Sequence, residues 1–271
     1  MSKVAIVTGA NQGLGLGLVQ RLNEIYQKND IIYMGVRRTE AGKKALESIE
    51  TIKADIRVIY IDISKEESII AVKNTIFKQH GGIDLVIHNA AARISPDRPY
   101  KEQVKNFIDT NNMGTYYMLK HFQPLMNENG QLIVVASAFG SLIHLNSNLH
   151  KLFDIENSSL EDINTTMMNY VHDVESGREA DKGWPEWINI PSKIGQVALV
   201  KIAAKEEDSN KSIFSVCPGL VDTDASRPFF DNMNEAQSPY EAAGHIIALT
   251  GNRSTALSGQ LIQFGKQLPW N

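Results

Sequence analysis

Short apolar runs alternate along the chain with stretches of helical periodicity. Val4–Val7, Ile31–Val36, Val58–Ile63, Asp84–His88, Leu132–Ala136, Ser212–Cys217 and Leu261–Phe264 are rich in Val and Ile and mostly lack polar alternation. Such runs predict parallel strands buried on both faces. Between them, Gly15–Tyr26, Ala41–Ile49, Glu66–Phe77, Tyr100–Met126, Ser192–Ala204 and Pro239–Leu249 carry helical patterns. Strict strand–helix alternation predicts right-handed crossovers and a doubly wound α/β parallel sheet of about seven strands. No internal repeat, low-complexity run or linker divides the chain.

One stretch breaks this rhythm. Between the strand ending near Ser137 and the next core helix lie roughly 50 residues, well beyond the usual connection. Ser158 followed by Glu161 has the spacing of a capping box. Leu160, Ile163, Met167, Tyr170, Val171 and Val174 then share one helical face, and Gly177 supplies a stop. Residues 141–188 are therefore expected to form an inserted helical subdomain on the rim of the sheet. Open α/β sheets bind ligands beyond the carboxyl ends of their strands. The insert leaves one such end, so it is expected to lie over the substrate pocket.

The first strand runs into Thr8-Gly9-Ala10-Asn11-Gln12-Gly13-Leu14-Gly15. Glycines here permit a tight turn and let backbone N–H groups approach a pyrophosphate. The following helix adds its positive N-terminal end. A glycine-rich loop that follows a strand and opens a helix has the context of a dinucleotide site; a structural glycine turn is the plainer alternative. Gly9, Asn11, Gln12, Gly13, Leu14 and Gly15 are the candidate contacts, and residues 1–271 read as a single Rossmann-type dinucleotide-binding domain. The second strand ends Gly35-Val36-Arg37-Arg38, with no acid to hold a ribose 2′-hydroxyl. Two guanidiniums there suit a 2′-phosphate, which favours NADPH over NADH. The plainer reading is a pair of solvated arginines. Asp62, with Ile63 beside it, closes the third strand and is a candidate for the adenine edge, or simply a turn acid. Asn89-Ala90-Ala91 closes the fourth, where small residues let the backbone lie against a cofactor.

Thr8–Gly15, His88–Ala91, Asn111, Ser137, Ser192-Lys193 and Pro218-Gly219, in this order, resemble the short-chain dehydrogenases/reductases. The chain is similar in particular to the monomeric carbonyl reductases. It shares the long insert after the Ser137 strand, Gly183-Trp184-Pro185 ahead of Lys193, and Gly259-Gln260-Leu261 with a late Trp270. The resemblance implies a monomer whose insert covers a helical surface that other members use for assembly. It also implies NADPH as cofactor and carbonyl compounds as substrates. By the same resemblance Asn111 anchors a proton-relay water and Ser137 hydrogen-bonds the substrate oxygen. Lys193 holds the nicotinamide ribose and lowers the pKa of a tyrosine one helical turn earlier. Pro218, Gly219, Val221 and Thr223 pack the nicotinamide carboxamide. The nearby Ser226–Asn234, with Phe229 and Phe230, reads from its residues as a polar-aromatic loop and is a candidate lid.

That tyrosine is absent. Four residues before Lys193 stands Asn189. Asparagine donates hydrogen bonds but carries no useful titratable proton. A positioned general acid contributes about 10²–10⁴ in rate, so ordinary ketone reduction should be weakened accordingly. Asn189 and Ser137 can still steady an oxyanion. Three readings stay open. In the first, hydride goes to an activated C=C or C=N bond and solvent or a side chain supplies the proton. In the second, the chain is a non-catalytic NADPH-binding sensor or regulatory protein. In the third, Asn189 is a drifted or engineered substitution in an ordinary carbonyl reductase. Retention of Asn111, Ser137 and Lys193 favours the first. Glu186, His144, His150 and Asp154 are candidate substitute acids, each more simply a surface residue.

Composition narrows the partners. With 42% hydrophobic residues the chain has ample material for a core, and a net charge of −4 leaves no basic footprint for nucleic acid. Its one cysteine, Cys217, excludes an internal disulfide and fits a reducing compartment. The seven histidines show no metal-ligand spacing. The N-terminus lacks the pattern of a signal peptide, and no run nears the roughly 18 apolar residues of a membrane span. The expectation is a cytoplasmic monomer acting on a small molecule, with no metal, nucleic acid or membrane partner.

Overall fold

A computed structural model describes residues 2–207, 210–250 and 255–271. Within these residues eight strands form one sheet: β1 (Val4–Thr8), β2 (Ile31–Val36), β3 (Asp55–Tyr60), β4 (Ile83–His88), β5 (Met126–Val135), β6 (Ser212–Cys217), β7 (Leu261–Gln263) and β8 (Lys266–Leu268). The order is β3-β2-β1-β4-β5-β6-β7-β8. Every neighbouring pair is parallel except β7–β8. Every residue of β1, β2 and β6 is buried, which is why these strands lack alternation. The winding reverses between β1 and β4. A crevice opens there, beyond Thr8 and His88.

The helices are α1 (Gly13–Ile25), α2 (Thr39–Glu47), α3 (Glu66–His80), α4 (Val104–Ile108), α5 (Gly114–Phe122), α6 (Leu160–Glu175), α7 (Glu179–Lys182), α8 (Asn189–Lys205) and α9 (Pro239–Ile247). Leu18, Leu22, Ala45 and Ile246 of α1, α2 and α9 pack with Ala5 and Val7 on one face of the sheet. Ile69, Phe122 and Leu199 of α3, α5 and α8 pack with Ile6, Val86 and Val134 on the other.

Several elements depart from the sequence reading, β5 among them, which begins at Met126 and not at Leu132. β3 lies three residues earlier than Val58–Ile63. Ile61 and Ile63 are buried beyond its end, so their apolar pattern reports burial, not ladder pairing. The eighth strand follows a tight turn with Phe264 at φ +49° and Gly265 at φ +73°, and three residues are too few to show as an apolar run. The helix over Tyr100–Met126 is broken. A 3₁₀ turn (Tyr100–Glu102), α4, a π turn (Asp109–Met113) and α5 follow one another, and Met126 already belongs to β5.

Within the insert the capping box sits one residue later than expected. Ser159 Oγ accepts from Asp162 N at 3.2 Å, and Asp162 Oδ2 accepts from Ser159 N at 2.9 Å. Both oxygens serve the first turn of α6. Ile163, Met167, Tyr170, Val171 and Val174 are buried where α6 meets α4 and α8. Buried Asp173 accepts from Lys182 Nζ at 2.6 Å and Trp184 Nε1 at 3.1 Å, tying the rest of the insert to this helix.

Candidate active site

The glycine loop is held from below. Thr8 Oγ1 accepts from the backbone N–H groups of Asn89 and Ala90, each at 3.0 Å, and Asn89 Nδ2 donates to Thr8 O at 3.0 Å. Gly9 has φ +66°, and a Cβ there would lie 2.9 Å from Ala90 Cα. A Cβ on Gly15 would lie 2.2 Å from Gly9 O, so only glycine lets the loop fold back this tightly. Helix α1 opens at Gly13 with no side-chain cap from Gln12 and no acid in its first turn. Its orphan N–H groups are thus left for an anion.

A cavity of about 500 Å³ lies over this helix end. Gly9, Asn11, Gln12, Gly13, Leu14 and Gly15 line it, with Arg37, Arg38, Ile63 and Asn89-Ala90-Ala91. Both arginines are exposed at the end of β2. This donor set fits a dinucleotide carrying an additional phosphate. Asp62 is placed differently. Its Oδ1 accepts from Ser64 N at 3.1 Å and Ser64 Oγ at 2.7 Å, and Ile61 and Ile63 line the cavity on either side of it. One carboxylate oxygen, Oδ1, is thus engaged in a local turn, and Oδ2 is not part of it.

A second cavity, of about 420 Å³, is walled in part by the same residues: Leu14, Ala91, Ala92, Arg93, Thr223 and Ala225. The two make one cleft. Asn111, Ser137, Asn189 and Lys193 all line this second part, together with Pro218, Gly219 and Val221. Thr223 stands at the seam. The remaining wall is largely apolar. Trp187 packs edge-on against Phe139, with ring centroids 5.1 Å apart, and tilted against Phe229 at 5.9 Å. Of residues 141–188, Trp187 lines the cavity, while α6 lies away from it on α4 and α8.

Each polar residue is fixed by its element. Ser137 lies two residues past the end of β5 and caps the 3₁₀ turn that follows, its Oγ accepting from Phe139 N at 3.3 Å. That leaves the hydroxyl proton to donate elsewhere. Asn189 and Lys193 stand four apart in the first turns of α8 and so share a face. Pro191 is tolerated between them because first-turn N–H groups have no helical partner. Lys193 Nζ donates to Gln196 Oε1 at 2.8 Å and reaches Val135 O at 3.5 Å. Burial pulls its ammonium down to about 8, while the Cys217 thiol works the other way. Asn111 lies in the π turn, a geometry that recurs at functional sites. Its Oδ1 accepts from Ala92 N at 2.8 Å. Its carbonyl accepts from Thr115 Oγ1 at 2.6 Å and Gln196 Nε2 at 3.2 Å.

Among residues not singled out from the sequence, Gln196, Thr115 and Asn112 build the site from behind, and Phe139 and Trp187 shape its wall. Gln196 carried a signal: it is the polar residue in the apolar, buried run Ile194–Leu199. None of Glu186, His144, His150 and Asp154 lines the cleft. Asp154 instead accepts from Glu156 N and Asn157 Nδ2 in a local turn.

The profile of the short chain dehydrogenase family matches residues 3–147, more than half of the chain. The chain belongs to the short-chain dehydrogenase family. Within that family it is 28% identical to carbonyl reductase (NADPH) 1 of Mus musculus, over 98% of both chains. It is 27% identical to carbonyl reductase (NADPH) 3 of Rattus norvegicus, over 97% of this chain and 96% of that one. Among solved structures, menthone neomenthol reductase from Mentha piperita shares the fold with a TM-score of 0.79 at 19% identity. That alignment covers 98% of this chain and 100% of the other. The family is one of oxidoreductases, and the doubly wound sheet with its glycine loop is this family's fold. No helix among the described residues is long and apolar enough to cross a membrane. Among the same residues, no three His, Cys, Asp or Glu side chains gather as metal ligands would.

Proposed function

We propose that this chain is an NADPH-dependent reductase of a small carbonyl, enone or imine compound, with proton donation that does not pass through a tyrosine. The observation that carries this reading is the continuity of the cleft. Exposed Arg37 and Arg38 stand at one end, Asn111, Ser137, Asn189 and Lys193 stand at the other, and Thr223 and Ala91 lie at the join. The similar mammalian proteins are named as NADPH carbonyl reductases, which supports both the cofactor and the substrate class.

NADPH, when bound, supplies the hydride of the reduction. On this reading Gly9–Gly15 and the open end of α1 receive the pyrophosphate. Arg37 and Arg38 receive the 2′-phosphate, and Lys193 takes the nicotinamide ribose. Pro218, Gly219, Val221 and Thr223 bound the carboxamide, and Asn89-Ala90-Ala91 lies along the cofactor. Asp62, with Oδ1 turned to Ser64, keeps Oδ2 to hold the adenine edge. Ser137 donates its free hydroxyl proton in a hydrogen bond to the substrate oxygen, and the Asn189 amide adds a second donor. Together they steady a developing oxyanion. Neither gives up a proton near neutral pH. The proton comes from solvent at the mouth or from Lys193, whose pKa suits general-acid work. Because an enolate can be protonated after the hydride has moved, an activated C=C bond suits this site better than an isolated ketone. Phe139, Trp187 and Phe229 favour a flat, apolar substrate.

The chain acts as one dinucleotide-binding unit, with 141–188 as its inserted helical part. Packing of α6 on α4 and α8 buries an apolar face that would otherwise invite assembly, which supports a monomer. The reading is tested by titrating the protein with NADPH and NADH and then assaying quinones, aldehydes, enones and imines. Tighter binding of NADH removes the argument from Arg37. NADPH binding without turnover of any class leaves a non-catalytic binding protein.

A further inference from the structure

We infer that Gln196 is a positioning residue that bridges Lys193 to the Asn111 carbonyl and fixes where the lysine ammonium sits. The inference rests on the proposed reading only in giving Lys193 a role at the reacting end of the cleft.

The orientation of the Gln196 amide follows from the network around it. Thr8 Oγ1 accepts two backbone N–H groups, those of Asn89 and Ala90. Its hydroxyl proton therefore goes to His88 Nδ1, 3.2 Å away. His88 is buried and neutral, held down to about 3 by desolvation and then by Lys193. A neutral ring that accepts at Nδ1 donates at Nε2. That proton points to Thr115 Oγ1 at 3.2 Å. Thr115 spends its own proton on Asn111 O at 2.6 Å. The group on Gln196 that faces Thr115 Oγ1 at 2.9 Å and Asn111 O at 3.2 Å must then be the donor, Nε2. Oε1 is left for the Lys193 ammonium, 2.8 Å away.

Every member of this chain finds a partner, and Gln196 is 1% exposed. Buried polar groups this completely satisfied are rigid, because any rotation leaves a donor or acceptor unmet. The amide accepts at one end, donates at the other and cannot pass the lysine's proton inward. Gln196 thus sets where the ammonium sits and stabilises its charged form. Among the described residues, the titratable groups that act on Lys193 are His88 on β4 and Cys217 on β6, and Arg93 shares its cavity wall. Neither His88 nor Cys217 is charged near neutral pH, since burial lowers the one and raises the other.

The test is the titration of the Lys193 ε-carbon by NMR in the full chain, assigned by its loss in Lys193→Met. It is read without NADPH or substrate, so it stands whether or not turnover is found. Gln196→Leu keeps the bulk and removes the acceptor; the Lys193 pKa should fall by about one unit or more. Gln196→Glu keeps the acceptor and adds charge; the pKa should rise. In any substrate assay that gives turnover, the pH limb should move in the same directions. If Gln196→Leu does not fold, the near-isosteric Gln196→Glu alone decides. An unchanged or reversed Lys193 titration in the variants overturns the inference.

Discussion

Asn112 and Ser192 hold each other twice. Asn112 Nδ2 donates to Ser192 O at 2.9 Å, and Ser192 Oγ donates to Asn112 Oδ1 at 2.7 Å. Both are fully buried. Their neighbours in sequence are Asn111 and Lys193, so this double contact sets the π turn and the start of α8 face to face. Asn112→Ala strands the Ser192 hydroxyl and carbonyl. It should cost about 2–3 kcal/mol in urea unfolding. Gly195→Ala should also destabilise, although alanine is the better helix former. Its Cβ would lie 2.5 Å from Asn112 Nδ2 and 2.7 Å from Met167 Sδ.

Arg37 and Arg38 are exposed and line the glycine-loop cavity, so their removal should leave the fold intact. Arg37→Ala should weaken NADPH binding by about tenfold to a hundredfold, the worth of a charge-assisted hydrogen bond. NADH binding should barely change. Fluorescence titration of both cofactors reads the ratio.

Asn189 faces the cleft one helical turn before Lys193. Asn189→Tyr places an acidic hydroxyl there, next to an ammonium that lowers its pKa. Reduction of a simple ketone should rise by about 10²–10⁴. Turnover of an enone should fall, because the larger ring fills space that the flat substrate needs. Steady-state rates on a matched ketone and enone check both signs.

His88 gives the fold an acid limit. In the unfolded chain its imidazole titrates near 6.5, and in the fold near 3. Between those values the unfolded state binds the extra proton, so stability falls as pH drops through this window. Above 6.5 both states are neutral and the residue adds no slope. His88→Gln keeps a donor and an acceptor without the charge. Thermal melts from pH 7 to pH 3 should show a shallower decline for the variant, even if it starts lower.

The doubly wound sheet was legible because its strands are buried on both faces and written almost wholly in apolar residues. β2 and β6 coincide with the runs that marked them. The glycine loop was legible because a left-handed φ at Gly9 and a close approach at Gly15 admit no other residue. The break within Tyr100–Met126 was not. The stretch is buried on most sides, so there was no single apolar face whose shift could mark the residue that a π turn adds.

The sequence alone determined the family's fold, the order of its motifs, and the asparagine four residues before Lys193. These depend on residue type and on spacing along a strand or helix. Only the tertiary structure decided that α6 packs on α4 and α8, and that Gln196 lies between Lys193 and Asn111. Gln196 and Asn111 are 85 residues apart, and their contact exists only because α8 packs beside the π turn. A hydrogen bond acts over about 3 Å. Which buried donors and acceptors come that close is settled by the packing of whole elements, and the linear pattern carries no record of it.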